Sequence, residues 1–198
     1  QDLILAGIEE INTYGANDFS VRRVASACHV STAAPYKHFK DKKEFIDDAL
    51  LGEVAVKARQ AERLRINYNF HRSTDEPVNR LLNTMNRGSY LPVHRHLSPE
   101  RTESCVVVKG KIGLSIYDDN GREIERRIVG PDCGCYGFDI EAGVWHGLVV
   151  LEDDTALFEI KQGPYAPISP DNLAPWTPAV DDQQAVDKFV KELEQSFE

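Results

Sequence analysis

Between Gly88 and His146 the chain reads Gly88, five residues, His94-Arg95-His96, then Glu103, six residues, Gly110, and finally Gly143-Val144-Trp145-His146. On a strand alternate side chains share a face, so His94 and His96 point one way and Arg95 the other. That makes a two-pronged imidazole clamp. Glu103 opens the run Glu-Ser-Cys-Val-Val-Val-Lys-Gly, a second strand closed by a glycine turn, from which its carboxylate joins the clamp. His146 completes the set. The spacing predicts a metal site of His94, His96, Glu103 and His146 inside a small β-barrel.

Imidazole and carboxylate donors together suit iron, manganese, nickel, copper or zinc, and two histidines with a carboxylate point to redox-active iron more than to structural zinc. The residues leave that choice open. The plain alternative is a set of strand histidines satisfied by hydrogen bonds. Four ligand-type residues at motif spacing outweigh it. Cys105 shares the parity of Glu103 and is expected to be a buried, inert thiol. His71 lies outside the motif and is structural by default, with a place beside the pocket as the alternative.

This spacing resembles the cupin superfamily, which implies a jelly-roll β-barrel. The resemblance departs at two points. The gap from His96 to Glu103 is six residues, longer than the family's, so Glu100 is a rival ligand. Glu103 is preferred because its distance to Gly110 is kept, with Ser98-Pro99 lengthening the turn; and Glu141 stands where the second motif has proline. A narrower resemblance, to WbuC-like cupin metalloproteins, is carried by Arg63-Leu64-Arg65, Asn67-Tyr68-Asn69-Phe70-His71, Trp145-His146, Glu159-Ile160-Lys161, Gly163-Pro164-Tyr165-Ala166-Pro167 and Ala174-Pro175-Trp176. It implies metal binding, and no assigned reaction comes with it.

The first fifty residues have helical periodicity. Ile4, Ile8 and Ile11 recur at three- and four-residue steps, and Gly15 supplies a stop. Ser20 caps a short helix, Val21 to Cys28, with Val21, Val24, Ala25 and Cys28 as the buried stripe and Arg22 and Arg23 facing out. A turn through His29 leads to Ser31, the next cap, and Asp41 with Glu44 reads as a capping box for a further helix. Two short helices about a tight turn can present a recognition helix to a major groove.

Phe19-Ser20-Val21-Arg22-Arg23-Val24-Ala25, Val30-Ser31 and Pro35-Tyr36-Lys37-His38-Phe39-Lys40-Asp41-Lys42-Lys43-Glu44 resemble the DNA-binding domain of the TetR family of repressors. By that resemblance Thr32, Ala33, Tyr36, Lys37 and His38 belong to the recognition helix and Lys42 contacts phosphate. His29 stands where the family usually has glycine, and Pro35 falls just after the first turn of its helix. Charge agrees: Ser20 to Lys43 holds six cations against Asp41, a local +5, whereas a chain total of −9 leaves −14 outside that window. A basic face on an acidic body suits a DNA binder, because only the docked face must neutralise phosphate.

At 198 residues the chain accommodates two small domains. The expected organisation is multidomain α + β: a helix-turn-helix module over 1–50, a cupin barrel with its linker helix over 51–180, and an amphipathic helix over 181–198. Asp181 or Asp182 caps that last helix, whose stripe of Val186, Phe189, Val190, Leu193 and Phe197 packs by default on its own barrel. No apolar run is long enough to cross a membrane and no basic-then-apolar leader precedes the first helix, so a cytoplasmic location is expected. Cys28, Cys105, Cys133 and Cys135 are too few and too irregular for a disulfide framework.

The favoured function is a transcriptional regulator: a homodimer that binds operator DNA, with the metal-bearing barrel as sensor for the metal itself or for a small-molecule effector. The alternative is a metal-dependent enzyme of oxygenase or sugar-isomerase type, with the helical module used for assembly. No catalytic residue is assigned. Arg95 and Lys161 are available to bind an anion, with a solvated or salt-bridged surface role as the default for each.

Overall fold

The computed structural model describes residues 2–14, 20–30 and 45–198. They fall into two compact units, Gln1–Glu53 and Val54–Glu198. In the first, α1 (Asp2–Tyr14) and α2 (Val21–Ala27) are tied by Glu10. Its buried carboxylate accepts from the Ser20 amide and pairs with Arg23. Among the described side chains of α1 Glu10 is the buried one, while Ile8 and Ile11 of the apolar periodicity are exposed. The Ser20 side chain caps α2 by accepting from Arg23 N–H, and Val24 and Ala25 are buried as the stripe predicts. The helix stops one residue short of the expected end. Cys28 is its C-cap, and His29 adopts a left-handed φ of 55° at the position where a glycine would be comfortable.

Helix α3 (Asp48–Gln60) spans the boundary between the units, and Asp47 starts it by accepting from Leu50 N–H at 2.9 Å. The helical pattern from Glu44 to Leu64 thus resolves into thirteen residues. Thr32, Ala33, Tyr36, Lys37, His38 and Lys42, with the Asp41/Glu44 box, lie outside the described residues.

The second unit is a two-sheet antiparallel barrel. One sheet has the order β1 (Arg65–Asn69), β2 (Val78–Met85), β8 (Thr155–Gln162), β3 (Glu103–Lys109), β6 (Gly137–Ile140). The other has β5 (Glu123–Val129), β4 (Ile112–Tyr117), β7 (Trp145–Val150). Chain-neighbouring strands β3 and β4 lie in different sheets, joined through Gly110 at φ 75°, where a Cβ would come within 2.2 Å of Thr155 Oγ1. This two-sheet arrangement agrees with the jelly-roll barrel that the resemblance implied.

Register explains why one end of the barrel is dry and the other polar. Met85, Val107, Ile112, Val129, Val150 and Leu157 fill one end. Alternation along the strands carries the same inner face to the other end. There Asn79, Lys161, Glu103 and Ile140 form one row across the larger sheet, and Glu125, Ile116 and His146 form its counterpart in the smaller sheet. Between these layers lie Leu81, Glu159, Cys105 and Phe138, facing Arg127, Leu114 and Leu148.

Helix α4 (Gln183–Gln195) is capped by Asp182, which accepts from Ala185 N–H at 3.0 Å. Val186 and Val190 bury against Val149, with Leu193 and Phe197 alongside. The amphipathic stripe therefore packs on its own barrel. Among the described residues no helix is long and apolar enough to cross a membrane.

Candidate metal centre

His94 and His96 sit on an extended segment and not on the regular strand that parity suggests. The segment is held by antiparallel bridges from His94 to Leu173 on one side and to His146 on the other; in the latter, His94 N–H donates to His146 O and His146 N–H to His94 O, both at 2.9 Å. Alternation survives in that bridge. The structure brings one donor atom each of His94, His96, Glu103 and His146 within 4.8 Å of one another. Donors sharing an ion at bond lengths of about 2.0–2.2 Å have separations of this order.

Backbone carbonyls set the imidazole tautomers. Nδ1 of His94 lies 3.0 Å from Pro92 O, and Nδ1 of His146 lies 2.9 Å from Val144 O. A carbonyl only accepts, so Nδ1 carries the proton in both rings and Nε2 presents a lone pair. His146 Nε2 nevertheless stands 2.9 Å from Glu103 Oε1. Two acceptors at that distance call for a proton or a metal cation between them. His96 Nε2 is buried without a hydrogen-bond partner, 3.4 Å from Glu103 Oε2. Three nitrogen donors and one carboxylate, with a buried nitrogen left unpartnered, fit a transition-metal ion.

The protonation states agree with ligand duty, which requires neutral imidazole and ionised carboxylate. Burial, with the neighbouring His146, pushes His94 down to about 3. Burial also lowers His96, against the opposing pull of Glu103. For Glu103 burial works upward, but the His146 and His96 imidazoles and the Lys161 charge hold it well below the ordinary carboxylate range.

The Lys161 ammonium contacts Glu103 Oε2 inside the barrel. This corrects the surface role expected for it. Burial works to lower its pKa, yet the Glu103 and Glu159 carboxylates raise it overall and keep it charged. One layer away Glu159 is enclosed by protein while keeping some accessible surface, so it faces the barrel interior. Its carboxyl is pushed up by burial first and then by the charge of Glu103. Asn83 Nδ2 donates to it at 2.7 Å, and Asn83 Oδ1 is a buried acceptor without a partner.

Parity along β8 carries the signal for both residues: Glu159 and Lys161 alternate in step with Leu157, a core residue. Glu100 is exposed and outside the cluster. Cys105 faces inward beside Glu159 with its thiol pushed up by burial, as an inert thiol should be. His71 is a structural residue, its Nδ1 bonded to the Arg80 backbone. Arg95 lies over the Trp145 ring at 4.2 Å, on the side away from the clamp. Cys105, Cys133 and Cys135 are free thiols.

A cavity of about 270 Å³ opens between β5 and β6, walled by Leu114, Ile116, Phe138 and Ile140, with Glu125, Arg127 and Asp139 also in its lining. Ile116 and Ile140 are the register neighbours of His146 and Glu103. The cavity therefore adjoins the cluster on its row.

Residues 3–49 match the tetR family of bacterial regulatory proteins, and residues 46–129 match a domain of unknown function, DUF6016. No curated protein matches the chain in sequence. Among solved structures it is similar to KdgF from Halomonas sp., at 19% identity over 52% of this chain and 82% of that one, with a TM-score of 0.41. CapF, a capsular polysaccharide assembling protein from Staphylococcus aureus, matches at 20% identity over 52% of this chain and 29% of its own, with a TM-score of 0.42. An oxalate oxidase in complex with glycolate matches at 20% identity over 61% and 63%, with a TM-score of 0.39. Likeness at this level says nothing of activity. The tetR-family match lies over residues 3–49, and the second unit is a two-sheet antiparallel barrel that carries the histidine-glutamate cluster.

Proposed function

We propose that the protein is a transcriptional regulator in which the N-terminal module binds operator DNA and the metal-bearing barrel sets its affinity. The observation that carries this reading is the tetR-family match over residues 3–49 in the same chain as a three-histidine, one-glutamate cluster. A recognition helix with flanking lysines has little use in an enzyme. Thr32, Ala33, Tyr36, Lys37 and His38 form the reading face, and Lys42 holds phosphate. Helix-turn-helix proteins read two half-sites about 34 Å apart, so the working form is a cytoplasmic homodimer.

In the barrel, His94, His96, Glu103 and His146 hold the ion, with iron, manganese, nickel, copper and zinc all compatible with the donor set. A bound ion supplies Lewis acidity or redox chemistry and a docking point for an oxygen-bearing effector. Pro92 O and Val144 O keep two imidazoles in the ligating tautomer, and Lys161 orients the Glu103 carboxylate. An effector acts by binding the DNA-competent and incompetent forms unequally.

A second reading, a metal-dependent enzyme of oxygenase or sugar-isomerase type, is favoured by one feature. Glu159 is an enclosed carboxyl with a raised pKa, one layer from the cluster. DNA binding by the purified chain to its own upstream region, with and without chelator and at two salt concentrations, separates the two. Tight, competitor-resistant binding that changes on metal removal supports the regulator. Absence of specific binding in both conditions sinks it and directs attention to oxygen-consumption and isomerase assays.

A further inference from the structure

Consecutive strands β5 and β6 do not form the hairpin that their short connection invites. Gly130 N–H donates to Cys135 O at 2.8 Å and closes the turn between them, but β5 then pairs with β4 in the smaller sheet and β6 with β3 in the larger one. Each is the last strand of its sheet, so the two diverge from the bridged turn and leave a cavity of about 270 Å³ in the gap. Leu114, Ile116, Phe138 and Ile140 wall it, and none of the four cluster residues lines it. An apolar cavity of about 150 Å³ takes up benzene. This larger one has room for a benzene ring with a short arm.

The polar groups of the lining are unevenly spent. Arg127 gives Nη2 to Glu125 Oε1 at 3.0 Å and Nη1 to the Arg126 carbonyl at 2.9 Å, so its charge is answered on its own strand. Asp139 accepts from the Ser104 hydroxyl and, among the described residues, pairs with no cation. Glu125 and Asp139 against Arg127 leave the lining one negative charge in excess, with carboxylate oxygens still free to accept. An acidic ligand is repelled there and an ammonium is attracted. We propose that this cavity is a binding site, separate from the metal cluster, for a small amine with an apolar or aromatic body. The body fills the space between β5 and β6, and the ammonium sits at Asp139. Exposed ion pairs contribute little, so burial of the apolar body supplies most of the affinity and Asp139 supplies the choice of charge.

Calorimetric titration of chelator-stripped full-length protein with phenethylamine at low salt tests this, with no ion in the cluster to take up the amine nitrogen. Phenethylamine should bind with a Kd below about 1 mM, and phenylacetate at least about tenfold more weakly. Asp139→Asn should weaken amine binding by about two- to fivefold, the range of an exposed ion pair, whereas Asp139→Glu should keep it. Ile116→Phe, checked for fold by circular dichroism, fills the cavity and should weaken the amine further. Cys135 lines the cavity and Cys133 does not, which locates the ligand without any substitution. Iodoacetamide should modify Cys135 more slowly when the amine is present and Cys133 at an unchanged rate, read by peptide mass spectrometry. No amine binding, equal binding of amine and acid, or binding that leaves Cys135 unprotected would each overturn the proposal. Both the metal assignment and the regulator reading stand apart from these results, since neither metal nor DNA is present.

Discussion

His146 Nε2 faces Glu103 Oε1 at 2.9 Å while His146 Nδ1 is committed to the Val144 carbonyl. The pairing leaves a lone pair pointed at a carboxylate, a geometry that a shared cation relieves. His94 likewise commits its Nδ1, to Pro92, and the two segments bridge each other through reciprocal backbone bonds. Deleting one imidazole therefore removes a donor without touching the bridge that holds the backbone. His94→Ala or His146→Ala should each lower metal affinity by more than about 100-fold, since even outer partners of ligands are worth about 10- to 100-fold. Elemental analysis after dialysis measures it, with circular dichroism to check the fold. Full metal retention in both variants would rule out the cluster as the binding site.

Glu159 yields a prediction about pH and stability. Its folded pKa lies above that of an exposed carboxyl, because burial and the Glu103 charge disfavour ionisation. Ionising it costs folding free energy: the cost is absent below the ordinary carboxylate range and grows as pH rises through the raised folded value. Glu159→Gln keeps an acceptor for Asn83 Nδ2 and cannot ionise. In metal-free protein the variant should match the parent near pH 4 and exceed it at pH 8 by on the order of 1 kcal/mol. Urea unfolding at the two pH values reads this directly. A stability difference that does not change with pH would show that the carboxyl ionises freely in the fold.

The docking face assigned to the N-terminal module makes a salt-dependent prediction. On the proposed docking face Lys42 neutralises one phosphate, so Tyr36→Ala combined with Lys42→Ala should weaken DNA binding and reduce the slope of log affinity against log salt by about one unit. Fluorescence anisotropy across a salt series measures both quantities. Unchanged affinity and slope would place the docking face elsewhere.

The jelly-roll barrel is implied by the resemblance that the ligand spacing carries, and the shared face of His94 and His96 is legible because alternation along extended chain is a period that a reader can count. Counting from His96 favours Glu100 and counting to Gly110 favours Glu103; register agrees with the second count, since Glu103 pairs with Ile140 and Lys161 inside the barrel while Glu100 is exposed. Lysine seldom lies inside a fold, so composition points Lys161 to the surface. Its parity with Leu157 holds the better signal. In α1 the apolar periodicity of Ile8 and Ile11 fails to mark the buried face, because a charged tie from Glu10 to α2 takes that position.

Two glycines should respond to alanine with opposite signs. Gly113 on β4 lies under the Phe197 ring, and a Cβ there would come within 2.5 Å of ring carbons. The glycine lets the end of the C-terminal segment close onto the barrel, next to the Val149, Val186 and Val190 contact. Gly113→Ala must push Phe197 away, at a cost of about 1–3 kcal/mol typical of overpacking. Gly52 sits within α3, where a Cβ would meet nothing within 4 Å, so Gly52→Ala should stabilise by about 0.5–1 kcal/mol through helix propensity. Thermal unfolding of the two variants gives the comparison. If Gly113→Ala left stability unchanged, Phe197 would not be seated on β4 in solution, while the Val149, Val186 and Val190 contact would still hold α4 to the barrel.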